Sequence, residues 1–141
     1  MLVITLFLSG VTKEGVLTSP KFPGLYPNNY KKRKTIKGGG NSNENSTETV
    51  LVLEFTFFDI ASSKKCKNDY LSIRDADGTV LMGKRCGSNL PAKITSRTNT
   101  VYVFFKTNKY KARTGWSIFW RDSSSEEAQV VSSGKQSKKI I

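Results

Sequence analysis

The chain has 141 residues, 37% hydrophobic and 11% aromatic, with a formal net charge of +12 from 23 Lys and Arg against 11 Asp and Glu. It contains no histidine and two cysteines, which excludes a Ser-His-Asp or Cys-His nucleophile system and a His-ligated metal site as these are usually built. The length suits one domain with a real core, and the charge favours acidic partners without bearing on the fold.

At the N-terminus, Leu2 to Leu8 is a short apolar run before Ser9-Gly10, with no basic segment ahead of it. Residues 1–14 therefore read either as a short or truncated signal peptide or as an additional strand. No segment is long enough to span a membrane. Strong turn punctuation follows in Ser19-Pro20, Phe22-Pro23-Gly24 and Tyr26-Pro27-Asn28-Asn29-Tyr30. This predicts extended, turning chain with aromatic rings inserted into the edge of the core. Lys31-Lys32-Arg33-Lys34 then opens a basic strand or strand entry. Because alternate residues of a strand face opposite sides, two of these charges must face the core or lie at a sheet edge. Edge placement is predicted, where lysine also blocks edge-to-edge aggregation. Residues 38–49 are rich in Gly, Asn and Ser and read as a surface loop. They carry the sequon Asn45-Ser46-Thr47, which makes Asn45 a candidate glycosylation site.

Four short stretches rich in β-branched and aromatic residues, Val50–Phe58, Tyr70–Ile73, Val101–Phe105 and Trp116–Trp120, carry the predicted strands. Asp75-Ala76-Asp77-Gly78 reads as a hairpin turn between two of them. No longer segment shows a 3.6-residue period, so the class is all-β. Residues 122–141 are polar and read as a disordered tail. Cys66 and Cys86 enclose a loop whose closure by a disulfide would stabilise the fold by about 3 kcal/mol and would place the chain in an oxidising compartment. Two buried free thiols are the alternative. The acids are scattered, with no pair at a spacing that suggests carboxylate catalysis, so the chain does not read as an enzyme.

Taken in order, Ser19-Pro20, Phe22-Pro23, Tyr26-Pro27-Asn28-Asn29-Tyr30, Phe58-Asp59, Cys66 with Asp69-Tyr70-Leu71-Ser72-Ile73, Cys86-Gly87 and Val101–Phe105 with Gly115-Trp116 resemble the CUB domain, over residues 15–121. The resemblance implies an extracellular jelly-roll β-sandwich of two antiparallel sheets, one disulfide between Cys66 and Cys86, no cofactor and no catalysis. The two-cysteine pattern is similar to spermadhesin-like and platelet-derived growth factor type CUB modules. A first disulfide of the family is missing, and Lys34 stands where many members carry tryptophan.

Calcium-binding members of the family use three acids, and the corresponding positions here are Ala61, Asp69 and Asn108. Calcium requires six to eight oxygen ligands with several negative charges among them, so this degenerate set predicts no metal site. The two loops that would hold the ion carry Lys64, Lys65 and Lys67 on one side and Lys106, Lys109, Lys111 and Arg113 on the other. If they meet, an acidic cation site has become a basic patch. Solvated lysines that merely confer solubility are the competing reading. The expected function is a secreted, non-catalytic module that recognises an extracellular protein or a sulfated glycan through these loops, with Lys31, Lys32, Arg33 and Lys34 as further candidates. The alternative is a regulatory or localising CUB fragment of a larger growth factor or protease. Nucleic acid is a poorer partner, because stacking needs exposed aromatics and most aromatics here fall in core patterns.

Overall fold

The computed structural model describes residues 13–39 and 49–124. Leu2–Leu8, Asn45 and the tail from residue 125 lie outside them. The described chain forms eight strands and one short 3-10 turn: β1 (Glu14–Thr18), β2 (Lys31–Lys37), β3 (Thr49–Asp59), the turn at Lys64–Cys66, β4 (Tyr70–Asp75), β5 (Val80–Arg85), β6 (Ile94–Thr95), β7 (Thr100–Lys106) and β8 (Gly115–Ser124). They build two four-stranded antiparallel sheets, ordered β1-β8-β3-β6 and β2-β7-β4-β5.

Alternation dictates the core. Leu51, Leu53 and Phe55 of β3, Leu71 and Ile73 of β4, Val101, Val103 and Phe105 of β7, and Trp116 and Ile118 of β8 are all buried between the sheets. Each such side chain contributes about 1.5–3 kcal/mol by leaving water. Phe105 is the hub, with the rings of Tyr26 and Trp116 edge-on at 5.1 and 5.6 Å. The proline-rich segment places Tyr26 fully in the core and Tyr30 at its margin, 5.7 Å from Phe105, while Phe22 packs on Phe57 at 5.3 Å.

Several elements differ from the sequence expectation. The turn at Asp75–Gly78 joins β4 to β5, a strand absent from the four apolar stretches because its glycine and two basic residues dilute the pattern. Glu14–Thr18, which lies outside the four apolar stretches, also forms a strand, paired along its length with β8. At the other end β8 runs to Ser124, past the expected boundary at Arg121. The cause is Asp122, which is buried and accepts from the backbone N–H of Lys13 at 2.8 Å and of Gly39 at 2.6 Å. Its own N–H donates to the carbonyl of Lys13 at 3.0 Å. β2 is an edge strand, and Lys31, Lys32, Arg33 and Lys34 are all exposed. Lys32 and Lys34 share the inward parity of buried Ile36 yet stay in water at the sheet margin.

Candidate functional site

One end of the sandwich is built from the β3–β4 connection, residues 60–69, and the β7–β8 connection, residues 107–114. The first is clamped twice. Ile60 and Gly87 exchange both backbone hydrogen bonds, at 2.9 and 2.8 Å, and Cys66 is disulfide-bonded to Cys86, the residue following β5, with Cα atoms 5.5 Å apart. The second is held at its exit by Gly115, at φ +95°, where an added Cβ would come within 2.8 Å of the Cβ of Ser19. The left-handed conformation and the crowding both demand glycine.

The two connections meet over Asp69, which is 1% exposed. Its Oδ2 accepts from the Tyr26 hydroxyl at 2.7 Å, and its Oδ1 accepts from the N–H of Asn108 at 2.8 Å. The Tyr26 oxygen in turn accepts from the N–H of Ala61 at 2.9 Å. Burial, reinforced by the hydrogen bond to the Asp69 carboxylate, holds the Tyr26 hydroxyl far above the usual phenol range, so it stays a donor. A neutral phenol and one carboxylate thus tie three segments together.

Above this network lies a cavity of about 230 Å³ lined by Ala61, Ser62, Asn68, Asp69, Asn108, Tyr110 and Lys111. The structure therefore brings Ala61, Asp69 and Asn108 to one place. It also shows what they offer: a methyl group, a carboxylate with both oxygens engaged, and an amide whose Oδ1 accepts from the N–H of Tyr110 at 3.0 Å. With Lys111 on the wall, this set does not fit a calcium ion. Among the described residues, no group of three or more His, Cys, Asp or Glu side chains gathers.

The basic residues of the two connections are not equivalent. Lys64, Lys65 and Lys67 are exposed on and beside the 3-10 turn, and Lys109 lies 5.3 Å over the ring of Tyr110. Lys65 and Lys111, one in each connection, hold left-handed backbones at φ 55° and 47°, a conformation costly for a side-chain-bearing residue. Arg113 is already committed: its Nη2 lies 3.1 Å from Asp59 Oδ1. Partial burial acts to raise the Asp59 pKa, but hydrogen bonds from Thr114 and Arg113 outweigh it and hold the carboxyl below its usual value. Lys106 closes β7 where it enters the second connection, and its ammonium donates to the carbonyl of Asn68 in the first at 3.3 Å.

Two antiparallel sheets around a single core, stapled by one disulfide, define a β-sandwich of the jelly-roll type. The family model of the CUB domain matches residues 9–120, and the chain belongs to that family. It is 36% identical to cubilin of Canis lupus familiaris over 112 residues, covering 77% of this chain and 3% of the cubilin. It is 30% identical to platelet-derived growth factor D of Mus musculus over 115 residues, covering 78% of this chain and 30% of the growth factor. Among solved structures, the CUB1-EGF-CUB2 domain of human MASP-1/3 superposes with a TM-score of 0.67 at 27% identity, covering 78% of this chain and 39% of that one. The chain thus spans a small part of the curated relatives it matches.

Proposed function

We propose that the chain is an extracellular, non-catalytic binding module whose loop end takes an acidic side chain of a partner protein. The observation that carries this reading is Lys111 on the wall of the loop-end cavity, where the one lining carboxylate has both oxygens hydrogen-bonded inward, with Lys64, Lys65, Lys67 and Lys109 exposed elsewhere on the same two connections. A concave site of this size suits one acid group better than a track for a polymer. The disulfide, the Ile60–Gly87 bridge and the hydrogen bonds of Asp69 tie the two connections down, which lowers the ordering cost of binding. The disulfide supports an oxidising, extracellular setting, and the missing carboxylates support a surface that works without calcium.

An array of acidic peptides probed with the full chain tests this. Wild type should bind selected peptides at physiological salt, and the variant Lys65→Glu/Lys109→Glu/Lys111→Glu should lose them. Equal binding by both proteins would refute the loop site. The likeness to platelet-derived growth factor D favours a second reading, in which the same module localises a longer chain; it predicts the same loop dependence and adds a requirement for that longer chain.

A further inference from the structure

A second basic region lies on the outer face of the β2-β7-β4-β5 sheet, and the strand register makes it a grid. Lys31, Arg33 and Thr35 of β2 sit opposite Lys106, Phe104 and Tyr102 of β7. Those three sit opposite Tyr70, Ser72 and Arg74 of β4. Their sequence neighbours Leu71, Ile73, Val101, Val103 and Phe105 are buried, so alternation turns the whole set outward. Lys84 of β5 joins it, with Nζ 4.7 Å over the ring of Tyr70. The grid holds five cations and three aromatic rings and no carboxylate. Among the described residues the ion pairs are Arg97–Asp77 and Arg113–Asp59, so no described acid pairs with any of these five.

From this arrangement we infer that the outer face of the β2-β7-β4-β5 sheet binds a sulfated glycan, at a site separate from the loop end. Adjacent strands are about 5 Å apart and alternate residues about 7 Å apart, so an extended polyanion laid on the face meets positive charge in both directions. The rings decide between glycan and nucleic acid. The Arg33 guanidinium lies 4.3 Å over Tyr102, and Lys84 and Lys106 lie 4.7 and 6.0 Å over Tyr70. A nucleic acid would need those ring faces for stacking its bases, and cations already cover them. The rings instead hold the cations in place, so less side-chain freedom is lost when anionic groups arrive. Between β4 and β5 a shallow hollow of about 280 Å³, lined by Tyr70, Ser72, Arg74, Phe104, Gly83 and Lys84 among others, gives a sugar ring an apolar and hydroxyl-bearing floor. Gly83 keeps it open, since a Cβ there would meet nothing within 4 Å.

The test compares three triple variants of the full chain with the same change in net charge: Arg33→Glu/Arg74→Glu/Lys84→Glu on the face, Lys65→Glu/Lys109→Glu/Lys111→Glu on the loops, and Lys135→Glu/Lys138→Glu/Lys139→Glu in the C-terminal segment. The probes are heparin, desulfated heparin and single-stranded DNA. At about 0.15 M salt the face triple should bind heparin about ten-fold or more weakly, with a shallower salt dependence, and the other two should lose less than about three-fold. Desulfated heparin should not bind. Equal losses from all three triples would reduce the effect to net charge, and the largest loss from the loop triple would move the site; either result overturns the proposal. So would DNA binding as tight as heparin with the same dependence on the face. Tyr70→Leu/Tyr102→Leu keeps every charge and should weaken heparin several-fold. If the glutamate triple fails to fold, as judged by thermal melting, Arg33→Gln/Arg74→Gln/Lys84→Gln takes its place. Acidic-peptide binding by the face variants should be unchanged, so failure of either site leaves the other standing.

Discussion

The Tyr26 hydroxyl donates to Asp69 across 43 positions of sequence, and the same oxygen accepts from the N–H of Ala61. Two loops and the proline-rich entry segment converge on that one phenol, in a place where no water-facing side chain could substitute for it. Tyr26→Phe leaves a buried carboxylate oxygen and a backbone N–H without their partner, which costs about 1–3 kcal/mol. Urea unfolding should show that loss, and acidic-peptide binding should fall with it because the cavity floor is released. Unchanged stability would mean that the phenol is dispensable.

Removing the clamp on the β3–β4 connection acts mainly through the unfolded chain. The double variant Cys66→Ala/Cys86→Ala opens a loop with a sequence separation of 20, at a cost of about 3 kcal/mol in the chain-entropy model. Equilibrium unfolding with and without reductant should reproduce the same difference in wild type. Mass spectrometry of the non-reduced protein should find the Cys66–Cys86 peptide pair and no free thiol.

Calcium should leave the protein unmoved. Calorimetric titration into the millimolar range should detect no binding, and the melting temperature should be the same with calcium and with chelator, because Ala61 and Asn108 supply no charge beside Asp69. An upward shift in melting temperature with calcium would refute this. Ala61→Glu/Asn108→Asp restores two carboxylates around the same cavity and should create a calcium-dependent rise.

Asp59 gives the stability profile an acid-side slope. Its carboxyl is held below the usual value of 3.8, partial burial being outweighed by Thr114 and Arg113. A depressed folded-state pKa contributes stability that is complete above the unfolded value and is lost as pH falls through the folded one. Wild type should therefore lose this contribution only below about pH 4, and Asp59→Asn should flatten that part of the curve. An identical pH dependence in the variant would show that Asp59 carries no linkage.

Much of the architecture was legible because the informative residues obey strict local rules. Val101, Val103 and Phe105 alternate with Tyr102, Phe104 and Lys106, and that period fixes both the strand and its buried side. The same period held the signal for the outer-face grid: Tyr102 and Phe104 have outward parity and belong to the surface, where a reading by composition assigns aromatics to the core. Strand order supplied the rest. No local pattern says that β2 pairs with β7, so the meeting of Lys31 with Lys106 and of Arg33 with the Tyr102 ring emerges only from the topology. At the loop end, sequence placed Ala61, Asp69 and Asn108 together by family likeness, yet nothing in it told that Arg113 is committed to Asp59. Asp122 was hidden for the opposite reason, since an aspartate beside serines looks like the start of a polar tail until its three backbone contacts are seen.

The bonds between Lys13 and Asp122, with Glu14 opposite Arg121, set the first residues of β1 beside the last residues of β8. A mechanical load applied through both ends of the domain therefore enters at a single corner. There the β1–β8 hydrogen bonds, which run perpendicular to the strands, are strained one after another rather than all at once. The domain opens under tension like a zipper, β1 peeling first. The Cys66–Cys86 clamp and the loop end, at the opposite end of β8, feel the force last.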